Sequence, residues 1–147
     1  LHKMGESTPE PIQSEELFSG RKVVLFALPG AFTPTCSAKH LPGFIELAGE
    51  FRGKGVDEIV CLSVNDAWVM NAWGKAQGAA DKVSMIADGN GAFTRGMGRQ
   101  ADLSAAGFGE RSGRSAMIVD DAVVTHLNIE EPRKFEVSDA ATMLALL

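Results

Sequence analysis

The sequence has 147 residues, of which 45% are hydrophobic and 22% charged, with a formal net charge of −5. That length and balance suit one globular domain with a single buried core, and exclude disordered or collagen-like chains. The negative charge and the scatter of lysines and arginines argue against nucleic acid as a partner, because phosphate binding needs clustered cations.

In chain order, residues 1–13 are polar and proline-rich and read as irregular. Ser14 is placed to cap a short helix through Phe18, which Gly20 stops. Val23–Leu28 is the longest apolar run and predicts a buried strand, ended by Pro29-Gly30. It is far too short to span a bilayer, so no membrane partner is expected. A helix is predicted from Thr33–Thr35 to about Arg52, kinked at Pro42-Gly43, where proline removes a backbone donor and crowds the preceding turn. Asp57–Val64 reads as a second buried strand. Asn65 or Asp66 then caps a helix carrying Trp68, Val69 and Trp73, whose spacing suits core or subunit contact. Lys82–Ala87 predicts a third strand, followed by a glycine-broken helical stretch from Gly91 to about Arg99. Ser115–Val119 and Val123–Ile129 flank Asp120-Asp121-Ala122 as a hairpin. Ser138-Asp139 opens a last helix.

Strand–helix alternation implies parallel pairing, and the late hairpin adds antiparallel edges. The expected fold class is α/β, a mixed sheet with helices on both faces, in one domain over residues 1–147. Two cysteines cannot build a multi-bridge framework, and neither Cys-x-x-Cys nor a zinc-spaced cluster occurs, so no metal is expected. A reducing compartment such as the cytoplasm fits. The start at Leu1 rather than Met is compatible with a removed organellar targeting peptide.

Cys36, in Pro29-Gly-Ala-Phe-Thr-Pro-Thr-Cys36, falls inside the first turn of a helix that follows a buried strand. Exposed N–H groups and the positive end of the helix dipole favour a thiolate there, the species that attacks peroxide oxygen. Pro29 and Pro34 stiffen the loop, and the Thr33 hydroxyl, one turn before Cys36, can hold a peroxide in line with the sulfur. The competing reading is a small buried core cysteine beside a turn.

These residues carry a resemblance. Pro29-x-x-x-Thr33-x-x-Cys36 matches the peroxiredoxin signature. Val24–Ser37, His40-Leu-Pro-Gly-Phe44, Cys61-Leu-Ser-Val-Asn-Asp66, Ala87-Asp-Gly, Arg111-Ser-Gly-Arg114 and Lys134–Asp139 resemble the type-five subfamily, called type II in plants. The resemblance implies a thioredoxin-like fold, reduction of hydrogen peroxide and organic hydroperoxides through a Cys36 sulfenic acid, no prosthetic group, and a homodimer. It also implies that Arg114, otherwise a surface charge at a strand start, points its fixed fork of donors at the sulfur. Ser115 stands where relatives usually carry an aromatic residue, which predicts looser packing of Arg114. Gly113 replaces a usual basic residue, Ala122 replaces a usual hairpin glycine, and the family's N-terminal strand is expected to be missing.

The sulfenic acid must then be reduced by a thiol. Residues 125–147 contain no cysteine, which closes the C-terminal resolving route of vertebrate-like members. Plant members carry a cysteine where Cys61 stands, so Cys61 is either a resolving residue or a small core side chain in Ile59–Val64, the second being the simpler reading. The reductant is then external, glutathione with glutaredoxin ahead of thioredoxin. His40, four residues after Cys36, is either the base of a Cys–His pair or a hydrogen-bonding cover for the site, and no third residue is evident to orient it as a base. The reading from another functional class is a non-catalytic thiol sensor or chaperone-like scaffold on the same fold.

Overall fold

The computed structural model describes residues 1–147. Strands β3 (Lys22–Ala27), β4 (Glu58–Ser63) and β5 (Ser84–Ala87) are the three predicted apolar runs. They pair in parallel in the order β5-β4-β3, with Val24 opposite Ile59 and Cys61 opposite Met85. The hairpin strands β8 (Ser115–Asp120) and β9 (Val123–Ile129) follow antiparallel, but β8 is not an edge. It lies against β3 along its whole length, and only β9 is marginal. The hairpin turn holds Asp121 and Ala122 at φ 47° and 64°, left-handed values that a glycine adopts more easily.

Residues 1–13 are not irregular, and strands do precede the first apolar run. β1 (His2–Met4) and β2 (Pro9–Pro11) form a hairpin, and β1 joins the sheet beside β5. Their side chains are half-buried or exposed, so no apolar alternation announces them. Pro9 and Pro11 are tolerated because β2 is the sheet's outer edge, where a missing donor breaks no ladder. A second small sheet, β6 (Gln100–Asp102) with β7 (Glu110–Ser112), was likewise too short and polar to be predicted.

Alternation along the strands divides the core between the two faces. One face buries Val24, Phe26, Ile59, Cys61, Ala116 and Ile118 beneath α2 (Leu41–Glu46), α3 (Ala48–Gly53), α4 (Ala67–Gln77) and α6 (Ala140–Ala145). The other buries Val23, Leu25, Val60, Leu62, Met117 and Val119 beneath α1 (Ser14–Phe18) and α5 (Ala92–Gly96). Asp66 caps α4 by accepting from Val69 N at 2.9 Å, and Asp139 caps α6 through Thr142. Ser14 does not cap α1; it is the helix's first residue. Trp73 is fully buried, whereas Trp68 is 56% exposed. No helix is long and apolar enough to cross a membrane.

The helix after Pro34 is not the single kinked rod expected. Cys36–His40 is a π-helical turn, with Leu41 N–H donating to the Cys36 carbonyl, and it runs directly into α2. Pro42 sits at that junction, where the wider turn relieves the clash of its ring with the carbonyl four residues back. The break falls later, at Leu47 (φ −94°, ψ 8°), between α2 and α3.

Candidate active site

The loop that leads into the π-turn is tied down at several points. Asn65 Oδ1 accepts from Ala31 N at 3.0 Å, and Arg111 Nη1 donates to the Pro29 carbonyl at 3.1 Å. A Cβ at Gly30 would meet the Arg111 guanidinium at 3.0 Å, so a larger residue there would press on the contact that holds Pro29. Phe32, 57% exposed, stands at φ 65°, a strained value for a bulky residue. Thr33 Oγ1 donates to the Gly30 carbonyl at 2.6 Å. Its proton is thereby committed, so its lone pairs remain to accept a hydrogen bond.

Cys36 is completely buried. Arg114, at the start of β8, donates from Nη2 to Cys36 Sγ at 3.2 Å. Its other terminal nitrogen, Nη1, lies 2.9 Å from His40 Nδ1, and its guanidinium rests over the Phe135 ring at 5.8 Å. Ser115 does not loosen it. Successive strand residues face opposite sides of the sheet, and Ser115 shares the face of Met117, away from Cys36.

His40 is buried among Phe26, Phe44 and Phe135, with ring centroids at 4.9, 5.8 and 5.0 Å. Its Nε2 lies 2.9 Å from the Ser138 carbonyl. Arginine can only donate and a carbonyl can only accept, so the proton sits on Nε2 and Nδ1 is bare. Burial first, then the Arg114 charge, lowers the His40 pKa from 6.5 to about 3. The imidazole is neutral and turned to Arg114, not to the sulfur. With Nδ1 turned to Arg114 and Nε2 to the Ser138 carbonyl, neither ring nitrogen is directed at Cys36, and Arg114 and Ser138 are orienting groups that the sequence did not reveal.

Cys61, on β4, is also completely buried, in the same apolar cluster as Cys36. Burial, and secondarily the nearby Cys36, pushes its thiol well above the ordinary range. Both cysteines are free. A cleft of about 580 Å³ lies elsewhere, between the β1–β2 hairpin, α4 and β5. Its wall carries the Arg21–Glu58 ion pair at 2.7 Å.

The structure therefore brings Cys36, Arg114 and His40 together and anchors the Pro29–Thr33 loop beside them. Sequence reading gave no site role to Arg111, Asn65, Glu130, Phe135 or Ser138. Arg111 also donates from Nε to the Phe108 carbonyl, so it straps the Phe108 segment to Pro29. A buried glutamate directly followed by an exposed one, Glu131, offers no periodic signal that would single it out.

The redoxin family model matches residues 3–144. A peroxiredoxin of Synechocystis is 54% identical over 141 residues, covering 91% of this chain and 74% of that one. A chloroplastic peroxiredoxin, 2E-2, of Oryza sativa is 56% identical over 135 residues, covering 90% of this chain and 60% of the rice protein. The crystal structure of reduced Prx3 from Vibrio vulnificus in complex with hydrogen peroxide superposes with a TM-score of 0.95 at 52% identity, over 99% of this chain and 90% of that one. With its thioredoxin-like sheet, buried thiol and paired arginine, the chain belongs to the redoxin family and, within it, to the peroxiredoxins, the thiol peroxidases.

Proposed function

We propose that Cys36 is the peroxidatic nucleophile and that the chain reduces hydrogen peroxide and organic hydroperoxides by way of a Cys36 sulfenic acid. The observation that carries this reading is the 3.2 Å contact from Arg114 Nη2 to Cys36 Sγ in a water-poor site. The thiolate attacks the nearer peroxide oxygen, the O–O bond breaks, and a proton converts the departing oxygen to water or an alcohol. Arg114 stabilises charge on sulfur and on the oxygens as that bond breaks. Thr33, whose own proton is held by Gly30, accepts from the peroxide and orients it. Pro29 fixes the loop and offers its carbonyl to Arg111.

Cys61 is structural in this reading. A resolving cysteine must attack as a thiolate, and burial disfavours that form here. The sulfenic acid is then reduced by an external thiol, glutathione with glutaredoxin ahead of thioredoxin. Cys36 has no exposed surface, so the π-turn must open for a bulky thiol to reach it. Two unpaired thiols suit a reducing compartment such as the cytoplasm. The chain forms a homodimer through the surface around Phe32 and Phe108, which the Arg111 strap joins beside the active-site loop. Sedimentation at micromolar concentration tests that assembly, and a monomer alone counts against it.

Peroxide consumption with glutathione–glutaredoxin and with thioredoxin, on the wild type and on Cys36→Ser, tests the whole reading. Sustained turnover lost in the variant is expected. One equivalent of peroxide consumed with every donor would instead mark a thiol sensor.

A further inference from the structure

Glu130, just past the end of β9, is a carboxylate of only 8% exposure with no cationic partner. A buried charge of this kind is costly unless hydrogen-bonded. Here its oxygens accept from the backbone N–H of Glu136, Val137 and Ser138 at 2.8–2.9 Å, and from Ser138 Oγ at 2.7 Å. Burial alone would raise its pKa; these hydrogen bonds outweigh burial and hold the carboxyl below its ordinary range. A loop wound around an anion in this way is a backbone nest.

The loop that Glu130 gathers is the one that finishes the active site. It delivers the Ser138 carbonyl to His40 Nε2 and lays Phe135 against both His40 and Arg114. The connections close on themselves. Glu130 N donates to the Arg114 carbonyl at 3.0 Å, the Glu130 carboxylate holds Ser138, Ser138 holds His40, and His40 accepts from Arg114. Arg114 is thus gripped at its backbone and at its guanidinium by one ring of contacts, and Nη2, outside that ring, is aimed at Cys36.

We propose that Glu130 is a positioning residue for the reaction at Cys36: by clamping residues 136–138 it fixes the tautomer of His40, and His40 in turn aims Arg114 at the sulfur. This rests on the reading of Cys36 as the peroxidatic residue. A plain loop anchor would affect stability alone. A positioning residue also changes the protonation pattern of His40 and the chemistry of Cys36.

The test compares the full chain with Glu130→Ala, Glu130→Gln and Ser138→Ala. Three quantities are read on each: the second-order rate with hydrogen peroxide per folded molecule, the rate of Cys36 alkylation by iodoacetamide across pH, and the His40 nitrogen resonances. Glu130→Ala should lower the peroxide rate by ~10-fold or more, since small misplacements of reacting groups cost factors of this size. It should also slow alkylation at neutral pH and broaden or shift the Nε2–H signal. Glu130→Gln can place its amide oxygen where Oε2 lies, so it should recover most of the rate. If Glu130→Ala lowers only the thermal midpoint, with rate and His40 signal unchanged, the proposal is overturned. Should that variant fail to fold, Ser138→Ala, which removes the hydroxyl contact alone, decides: a severalfold loss with a shifted His40 signal supports the proposal, and no change refutes it. Alkylation and the His40 signal need no turnover, so a wild type inert to peroxide would sink the proposed function while still reporting on the Glu130 linkage.

Discussion

Two regions of one apolar cluster hold the two cysteines, and they make opposite use of the same burial. Cys61 sits mid-strand in β4, in register with Phe26 and Met85, surrounded by hydrocarbon and with no donor aimed at its sulfur. Cys36 is equally inaccessible but stands at the start of a π-turn, with a guanidinium nitrogen 3.2 Å from its sulfur. Burial without a partner makes a thiol inert. Burial beside a fixed cation makes a site in which charge is held strongly and water does not compete. Exposure therefore does not tell the two cysteines apart; the neighbouring donor does, and on the proposed reading it marks Cys36 as the reactive one and Cys61 as the structural one.

The comparison is broken most severely at Cys36 itself. Cys36→Ser should abolish peroxide reduction, because a hydroxyl ionises far too weakly to serve as the nucleophile; residual turnover would move the chemistry elsewhere. Next is its partner. Arg114→Met should reduce the second-order peroxide rate by ~10²–10³, the usual cost of losing one preorganised donor. Measured at high pH, where Cys36 is ionised in both proteins, a persistent difference assigns Arg114 to the transition state. Convergence would confine it to favouring the thiolate.

A pH experiment sharpens the contrast from the side of His40. This imidazole is neutral in the folded protein, with a pKa of about 3 against 6.5 when unperturbed. Between those values the unfolded chain binds a proton that the native chain does not. Stability is therefore fully present above pH 6.5 and is lost as the pH falls toward 3, by on the order of a few kcal/mol. Urea unfolding at about pH 7 and pH 5 should show this slope. His40→Gln should flatten it, and an unaltered slope in that variant would assign the loss to other groups. The smallest effect belongs to Cys61. Cys61→Ser should keep glutaredoxin-supported turnover within about twofold while costing about 1–3 kcal/mol for a buried hydroxyl lacking a partner. Complete loss of turnover in a folded variant would make Cys61 the resolving residue.

Much of the frame was legible because its signals are local. The runs at Val23–Leu28 and Asp57–Val64, the helix starts at Asn65-Asp66 and Ser138-Asp139, and the hairpin around Asp121 each follow from neighbouring residue types. The β1–β2 hairpin escaped because two polar, partly exposed strands bury too little to leave a pattern. The π-turn escaped because Pro42 predicts disturbance but not which turn absorbs it. Ser115 misled because its departure from the family pattern suggested a neighbour's looseness, whereas strand alternation sends it to the other face.

By itself, then, the sequence determined the order of the long apolar strands and the helices between them, and the loop around Cys36, including the threonine one turn away. These depend on contacts a few residues apart. Tertiary structure alone decided the rest. Arg114 reaches Cys36 across 78 positions and His40 reaches Ser138 across 98, distances over which periodicity carries no information. The β3–β8 register sets the first meeting, and the loop wound on Glu130 sets the second. Hydrogen bonding fixes which nitrogen of His40 carries its proton only after both partners have been brought to opposite sides of the ring.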